Sequence, residues 1–275
     1  MRGKMKAENR TGFAPNSRTY AVWGAPKSGK TTFACRLANA FSCTPDPATG
    51  ETMSAVVVCA DNDTPVLPTL FPHRMKGEGK EGEQMPSLGE LLSMPDMTEE
   101  DLLEHLVTGK ENDRLGYLGY AQYEHPLSYP SPSFRTLSRF SDLLLSVADV
   151  IVYDLPSSLS DPLSQYAVRH CDKVFRLLAP DIPSAVWETS KKEMYAHEPD
   201  DGNALRMEDQ IPCAGSPDRN SDRLLSDFRQ SVTSLKFALP YRPEWKAAFE
   251  EGSLAFLKPG KKEIDYLLKA AGTKI

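Results

Sequence analysis

The stretch Val22–Thr32 reads VWGAPKSGKTT and holds the densest chemistry in the sequence. Gly24, Gly29, Lys30 and Thr31 occupy the fixed positions of G-x-x-x-x-G-K-[ST], with Ala25, Pro26, Lys27 and Ser28 between them. That spacing suits a phosphate chain. Glycine has no Cβ and tolerates φ > 0, so successive backbone N–H groups can turn inward at close range. Lys30 then reaches the β- and γ-phosphates, and the Thr31 hydroxyl ligates Mg²⁺. Thr32 lies in the first turn of a following helix, whose N-terminal partial positive charge faces the same phosphates. The ligand implied is ATP or ADP with Mg²⁺.

Two further stretches place carboxylates where such a ligand would need them. Ser54–Ala60 (SAVVVCA) is an unbroken apolar run ending in Asp61-Asn-Asp63, and Asp149–Pro156 (DVIVYDLP) is a second such run ending in Asp154. Continuous apolar runs suit parallel strands buried on both faces, and ligands of open α/β sheets bind at the carboxyl ends of those strands. Asp61 and Asp63 are therefore candidates for Mg²⁺ or water contacts, and equally for strand-end caps. Asp154 stands where a Walker B carboxylate would hold the metal, directly or through water. If the strands ending at Trp23 and Asp154 are neighbours, Thr31 and Asp154 meet at one Mg²⁺ site.

The elements that must position these groups alternate along the chain. Thr19–Trp23 reads as a strand and Thr32–Phe41 as a helix with Phe33, Leu37 and Phe41 at helical spacing. Thr64–Gln84 is a long Pro-, Gly- and charge-rich loop. Short helices are expected at Ser87–Ser93 and at Thr98–Val107, the second with a Thr98/Asp101 capping pattern. A strand at Leu115–Tyr120 and a helix at Ser133–Ser146 follow, with Asp161 as a later N-cap. Lys173–Pro180 reads as a strand, and Pro183–Tyr195 as its helix with Val186, Trp187 and Met194 turned inward. Gln210–Ser216 and Leu235–Pro243 read as late strands, Ser221–Val232 as a helix, and Trp245–Glu250 and Ile264–Ala271 as closing helices. The pattern is that of an α/β fold: a doubly wound, mainly parallel sheet with helices on both faces. It divides into an arm at 1–17, a nucleotide-binding domain at 18–258 and a C-terminal helix at 259–275, read as docked on the domain rather than lying on a membrane surface.

Bulk properties restrict the partners. The chain has 275 residues, enough for one sizeable core, with a net charge of −6 that gives no global basic field for DNA, although a local basic patch stays compatible with it. The five cysteines are odd in number and form no C-x-x-C pair, so they read as reduced thiols in a cytoplasmic protein. No apolar stretch approaches the ~20 residues of a membrane span.

The order of these stretches resembles the MinD/ParA group of P-loop ATPases (the SIMIBI class), with CpaE/TadZ-like members the nearest in character. The carriers of the resemblance are the phosphate loop, the strand ending Asp61-Asn-Asp63, Asp154-Leu-Pro, Asp181-Ile-Pro-Ser, and Leu239-Pro-Tyr-Arg-Pro-Glu244. The resemblance covers about residues 18–255. It implies an ATP-dependent homodimer whose slow hydrolysis acts as a timer. The partner would be a protein assembly such as pilus, secretion or conjugation machinery, or DNA partitioning, reached from the cytoplasm and peripheral to the membrane only through that partner. By the same resemblance Asp63 orients the attacking water while Lys30 contacts the phosphates, Asp61 and Asp154 serve Mg²⁺ through its waters, and Pro240 and Tyr241 lie beside the base. One position departs. Family members with the deviant loop carry a second lysine five residues before the invariant one, and Ala25 stands there; Lys27 lies in another register. The residues thus fit a slow ATPase, a nucleotide-binding scaffold without hydrolysis, or a P-loop kinase related to bacterial tyrosine kinases. The last usually carries a tyrosine-rich tail, whereas only Tyr266 lies in the final stretch of this chain.

Overall fold

The computed structural model describes residues 18–46, 49–72, 86–109, 112–122, 124, 127–196, 210–215, 228, 235–240 and 242–272. The expected arm at 1–17, most of the loop at 64–84, all of the helix at 221–232 but Phe228, and Tyr241 lie outside the described residues.

Eight strands form one sheet: β1 (Thr19–Gly24), β2 (Ala55–Cys59), β3 (Val107–Gly109), β4 (Asn112–Gly119), β5 (Val150–Asp154), β6 (Lys173–Leu178), β7 (Ile211–Gly215) and β8 (Phe237–Leu239). Their order is β3-β4-β2-β5-β1-β6-β7-β8, and every neighbouring pair is parallel except β3–β4. The doubly wound reading of the sequence therefore holds, with one antiparallel edge.

The central strands are buried on both faces, which is why Val56-Val57-Val58 and Val150-Ile151-Val152 run apolar without alternation. Successive side chains still go to opposite cores. Tyr20 and Val22 enter one cluster with α1 (Lys30–Ser42), α2 (Leu67–Leu70), α8 (Pro243–Glu250) and α9 (Lys261–Ala270). Ala21 and Trp23 enter the other, under α3 (Leu88–Leu92), α4 (Glu99–His105), α5 (Phe134–Val147), α6 (Pro162–His170) and α7 (Ile182–Ala196).

Three expectations need correction. The helix expected to run through Val107 stops at His105: the Thr98/Asp101 capping box starts it, but Leu106 is extended and β-branched Val107 and Thr108 join the edge hairpin with β4. The strand expected from Leu115 begins at Asn112 for the same reason. In α7, Trp187 does face inward against Trp23, but Val186 and Met194 are 59 % and 47 % exposed. The helix instead turns Glu188 inward to meet Arg176 of β6, and a residue two positions from Glu188 then lies about 200° away around the helix.

The C-terminal helix α9 docks on the sheet domain. Leu267 and Leu268 are fully buried in the cluster that includes α1, Glu263 pairs with the buried Arg36, Lys173 donates to the Ala271 carbonyl, and the Tyr266 hydroxyl donates to that of Ala238. Its apolar face is thus occupied by the protein itself. Among the described residues no helix is long and apolar enough to cross a membrane.

Candidate functional site

Strand β1 delivers the chain into the phosphate loop through a narrow gate. Gly24 has φ +145°, and a Cβ there would overlap the Leu177 backbone of the adjacent β6. The Ala25 amide then donates to the Leu177 carbonyl at 2.9 Å. Gly24→Ala is therefore expected to displace the loop, lowering stability by about 3 kcal/mol or more and removing nucleotide binding together. Denaturant unfolding and a binding titration on the same sample check this; native stability with intact binding would contradict it.

Beyond the gate, Lys27 (φ +60°) and Gly29 (φ +85°) turn the chain back toward α1. Gly29 is the N-cap of that helix, with no side-chain cap and no acidic residue in the first turn. The first-turn amides of α1 consequently receive no capping side chain, and they share one end of the helix with Lys30. The end of β7 backs the loop, since a Cβ on Gly215 would lie 3.0 Å from the Ser28 carbonyl oxygen.

The register of the sheet sets the carboxylates. β5 lies between β1 and β2, with Asp154 opposite both Val22 and Cys59. Its main chain is fixed by the Ala60 amide, which donates to the Asp154 carbonyl at 2.8 Å, and its side chain is 2 % exposed. The Thr31 side chain lies near enough to the Asp154 carboxylate to favour its ionised form. Burial pushes the Asp154 carboxyl up to about 7, against the opposing effects of Thr31 and Lys30, and the nearby Asp61 adds to the rise. Oδ2 of Asp154 has no hydrogen-bond partner among the described residues. A buried, unsatisfied carboxylate oxygen of this kind is costly unless a cation or donor meets it.

Lys30 is mostly buried, which lowers its pKa, while Asp154 and then Asp61 act to raise it. Its ammonium donates to the Ala25 carbonyl at 3.2 Å and to Ser157 Oγ at 2.9 Å. The Ser157 contact was not evident from sequence; its signal was only its place three residues after Asp154. Asp61 Oδ1 accepts from the amides of Asp63 (3.1 Å) and Thr64 (2.9 Å), which makes it a turn residue as well as a source of charge felt at Lys30 and Asp154. Asp63 is exposed on that turn. Pro240 is exposed at the end of β8, three strands from β1, and is not brought to the loop by any described contact. Asp161 caps α6 by accepting from the Ser164 amide at 2.8 Å.

The donor set fits Mg²⁺ held with a nucleotide. Mg²⁺ is bound by one or two protein oxygens plus phosphates and water rather than by an all-protein cage. Thr31 and Asp154, whose Oδ2 has no partner among the described residues, would supply those oxygens, and among the described residues no group of three or more His, Cys, Asp or Glu side chains could hold a metal ion by itself.

No protein-family model matches this chain, and no curated protein matches it by sequence. Solved structures do. A ParA family ATPase from Chlorobium tepidum superposes with a TM-score of 0.62 at 15 % identity, over 93 % of this chain and 97 % of the other. The cell division ATPase MinD of Pyrococcus furiosus gives 0.64 at 17 % identity, over 93 % and 97 %. MinD of Pyrococcus horikoshii complexed with Mg-ADP gives 0.61 at 16 % identity, over 92 % and 93 %. At these identities the likeness is one of architecture: the chain has the P-loop NTPase fold of the MinD/ParA ATPases.

Proposed function

We propose that this chain binds Mg²⁺-ATP and Mg²⁺-ADP at Gly24–Thr32, hydrolyses ATP slowly, and uses its nucleotide state to control self-association and the positioning of a partner assembly. The observation that carries the reading is the convergence of Lys30, the Thr31 hydroxyl and the buried Asp154 beneath an uncapped helix N-terminus. The Mg-ADP complex of the archaeal MinD with the same fold supports the choice of ligand.

Each residue then has a role. The loop amides and Lys30 hold the phosphates, releasing Lys30 from Ser157. Thr31 and Asp154 would hold Mg²⁺, whose charge would neutralise the phosphate oxygens, and Asp61 would serve it through its waters. Asp63 orients the water whose oxygen bonds to the γ-phosphorus as the β–γ bridging bond breaks, leaving ADP and phosphate. Such transfers depend on positioning and charge neutralisation more than on covalent help. Pro240 and Tyr241 would flank the base.

Turnover is slow because one cation is missing. Ala25 is 1 % exposed and packs against Leu178, Ala214 and Phe228, so the position contributes no cation of its own. Cationic stabilisers of this kind are worth on the order of 10³-fold in rate. The same observation favours, as a second reading, a scaffold that binds nucleotide without hydrolysing it. The kinase alternative has less support, since the Tyr266 hydroxyl is engaged by Ala238.

Phosphate release and sedimentation in ATP or ADP test the reading together. ATP, and not ADP, is expected to convert monomer to dimer, and Asp63→Ala to keep ATP bound, stop residual phosphate release and lengthen the life of the dimer. Rapid hydrolysis by a monomer, or undiminished release by Asp63→Ala, would contradict the assignment.

A further inference from the structure

A chain of fully buried polar side chains runs from the foot of the phosphate loop to helix α7, and none of its members belongs to the nucleotide site. Trp23, the residue before Gly24, donates from Nε1 to Gln210 Oε1 at 2.8 Å. The same oxygen accepts from Arg176 Nη1 at 3.1 Å. Arg176 holds Glu188 of α7 with two parallel bonds, Nε to Oε2 at 2.8 Å and Nη2 to Oε1 at 2.9 Å. Lys192 closes the outer end at 3.0 Å from Glu188 Oε1. Trp23, Arg176, Glu188 and Gln210 are each at most 3 % exposed.

Stability alone does not explain such a chain. A buried ion pair is repaid poorly against its desolvation, and apolar residues of similar volume are often as stable or more so. What a bidentate, fully satisfied pair does supply is a fixed geometry. Its location shows what is fixed. Arg176 lies directly opposite Trp23 in the β1–β6 register, and the next residue, Leu177, accepts from the Ala25 amide and leaves room only for glycine at position 24. Gln210 immediately precedes β7, whose last residue, Gly215, packs under Ser28. The three strands that meet the loop are thus pinned to one another at a single oxygen, Gln210 Oε1. On the far side, Asp181 caps α7 through the Ser184 amide at 2.8 Å, and Ser184 Oγ accepts from the Ala179 amide at 3.1 Å, so the helix carrying Glu188 is itself tied to the end of β6.

We propose that Gln210, Arg176 and Glu188 are positioning residues for the phosphate loop, acting through Trp23 to set where Gly24 and Ala25 leave the sheet. The inference rests on the nucleotide reading of that loop. Displacement of a binding group by about 1 Å is enough to cost about 10²-fold where geometry matters. The Trp23–Gln210 bond is then coupled to ligand affinity as well as to folding.

The test compares Gln210→Met, which keeps size and leaves the Arg176–Glu188 pair intact, with Trp23→Phe and with the double variant. Mg-ADP affinity is measured by calorimetry and unfolding by denaturant without nucleotide; Leu144→Ala, a fully buried change in α5 remote from the loop, serves as the reference for general destabilisation. Each single variant is expected to bind Mg-ADP about 10-fold more weakly, and the double variant no more weakly than Gln210→Met alone, since both singles remove the same Trp23–Gln210 bond and Gln210→Met removes the Arg176 Nη1 bond besides. Leu144→Ala is expected to lower the unfolding midpoint with wild-type affinity. Affinities within twofold of wild type in Gln210→Met, additive losses in the double variant, or an equal loss in Leu144→Ala would each overturn the proposal. A wild-type chain that binds no nucleotide would overturn the reading of the loop itself, and that result is seen before any variant is compared.

Discussion

Lys30→Ala is expected to weaken Mg-nucleotide binding by on the order of 10²-fold or more while leaving the fold intact, because a buried ammonium facing a phosphate chain is a desolvated charge pair whose truncation is costly. The ligand-free fold should tolerate the change. Among the described residues Lys30 bonds only to Ala25 and Ser157, and its burial disfavours the charged form. Circular dichroism and a nucleotide titration on one preparation check both halves of the expectation. Unchanged affinity in a folded Lys30→Ala protein would show that the loop is not where nucleotide binds.

Asp154→Asn separates the metal from the nucleotide. Asparagine keeps the shape and a carbonyl oxygen for Thr31, and it removes a buried carboxylate whose Oδ2 has no partner among the described residues. Mg²⁺ is therefore expected to stop strengthening nucleotide binding, while affinity in EDTA stays near wild type. The ligand-free protein is expected to gain about 1–3 kcal/mol at neutral pH and above, the scale of an unsatisfied buried polar group. The sign follows from linkage: the folded pKa, about 7, lies above the ordinary carboxylate value, so the ionised form destabilises the fold. The gain should shrink as pH falls through 7 and vanish near pH 4, where folded and unfolded chains both carry the proton. Denaturant midpoints across that range, with and without Mg²⁺ and nucleotide, measure it. A variant that keeps its Mg²⁺ dependence would contradict the placing of the metal.

Much of the fold was legible in the sequence because the central strands are buried on both faces. Ala55–Cys59 and Val150–Asp154 could therefore be recognised from unbroken apolar runs that stop at a carboxylate. The phosphate loop was legible for a different reason: Gly24 and Gly29 take the positive φ values that their spacing implied, whereas the positive φ of Lys27 between them had no sequence signal. What could not be read were the consequences of pairing between distant elements. The faces of α7 are set by Arg176 on another element, so periodicity alone turned Val186 and Met194 the wrong way. Arg176 itself was a signal, a cation set between the apolar pairs Val174-Phe175 and Leu177-Leu178, but its partners lie 12 and 34 residues away. The edge strand Val107–Gly109 was too short to compete with a helix whose capping box was explicit. Ser157 gave no sequence pattern at all; its role depends on where β5 ends relative to Lys30.

Calorimetric titration of the unmodified chain with ADP, in Mg²⁺ and again in EDTA, tests the central claim most directly. One saturable site per chain, bound distinctly more tightly in Mg²⁺ than in EDTA, is the result predicted by a phosphate loop set against Thr31 and Asp154. The absence of saturable binding, or binding indifferent to Mg²⁺, would contradict it.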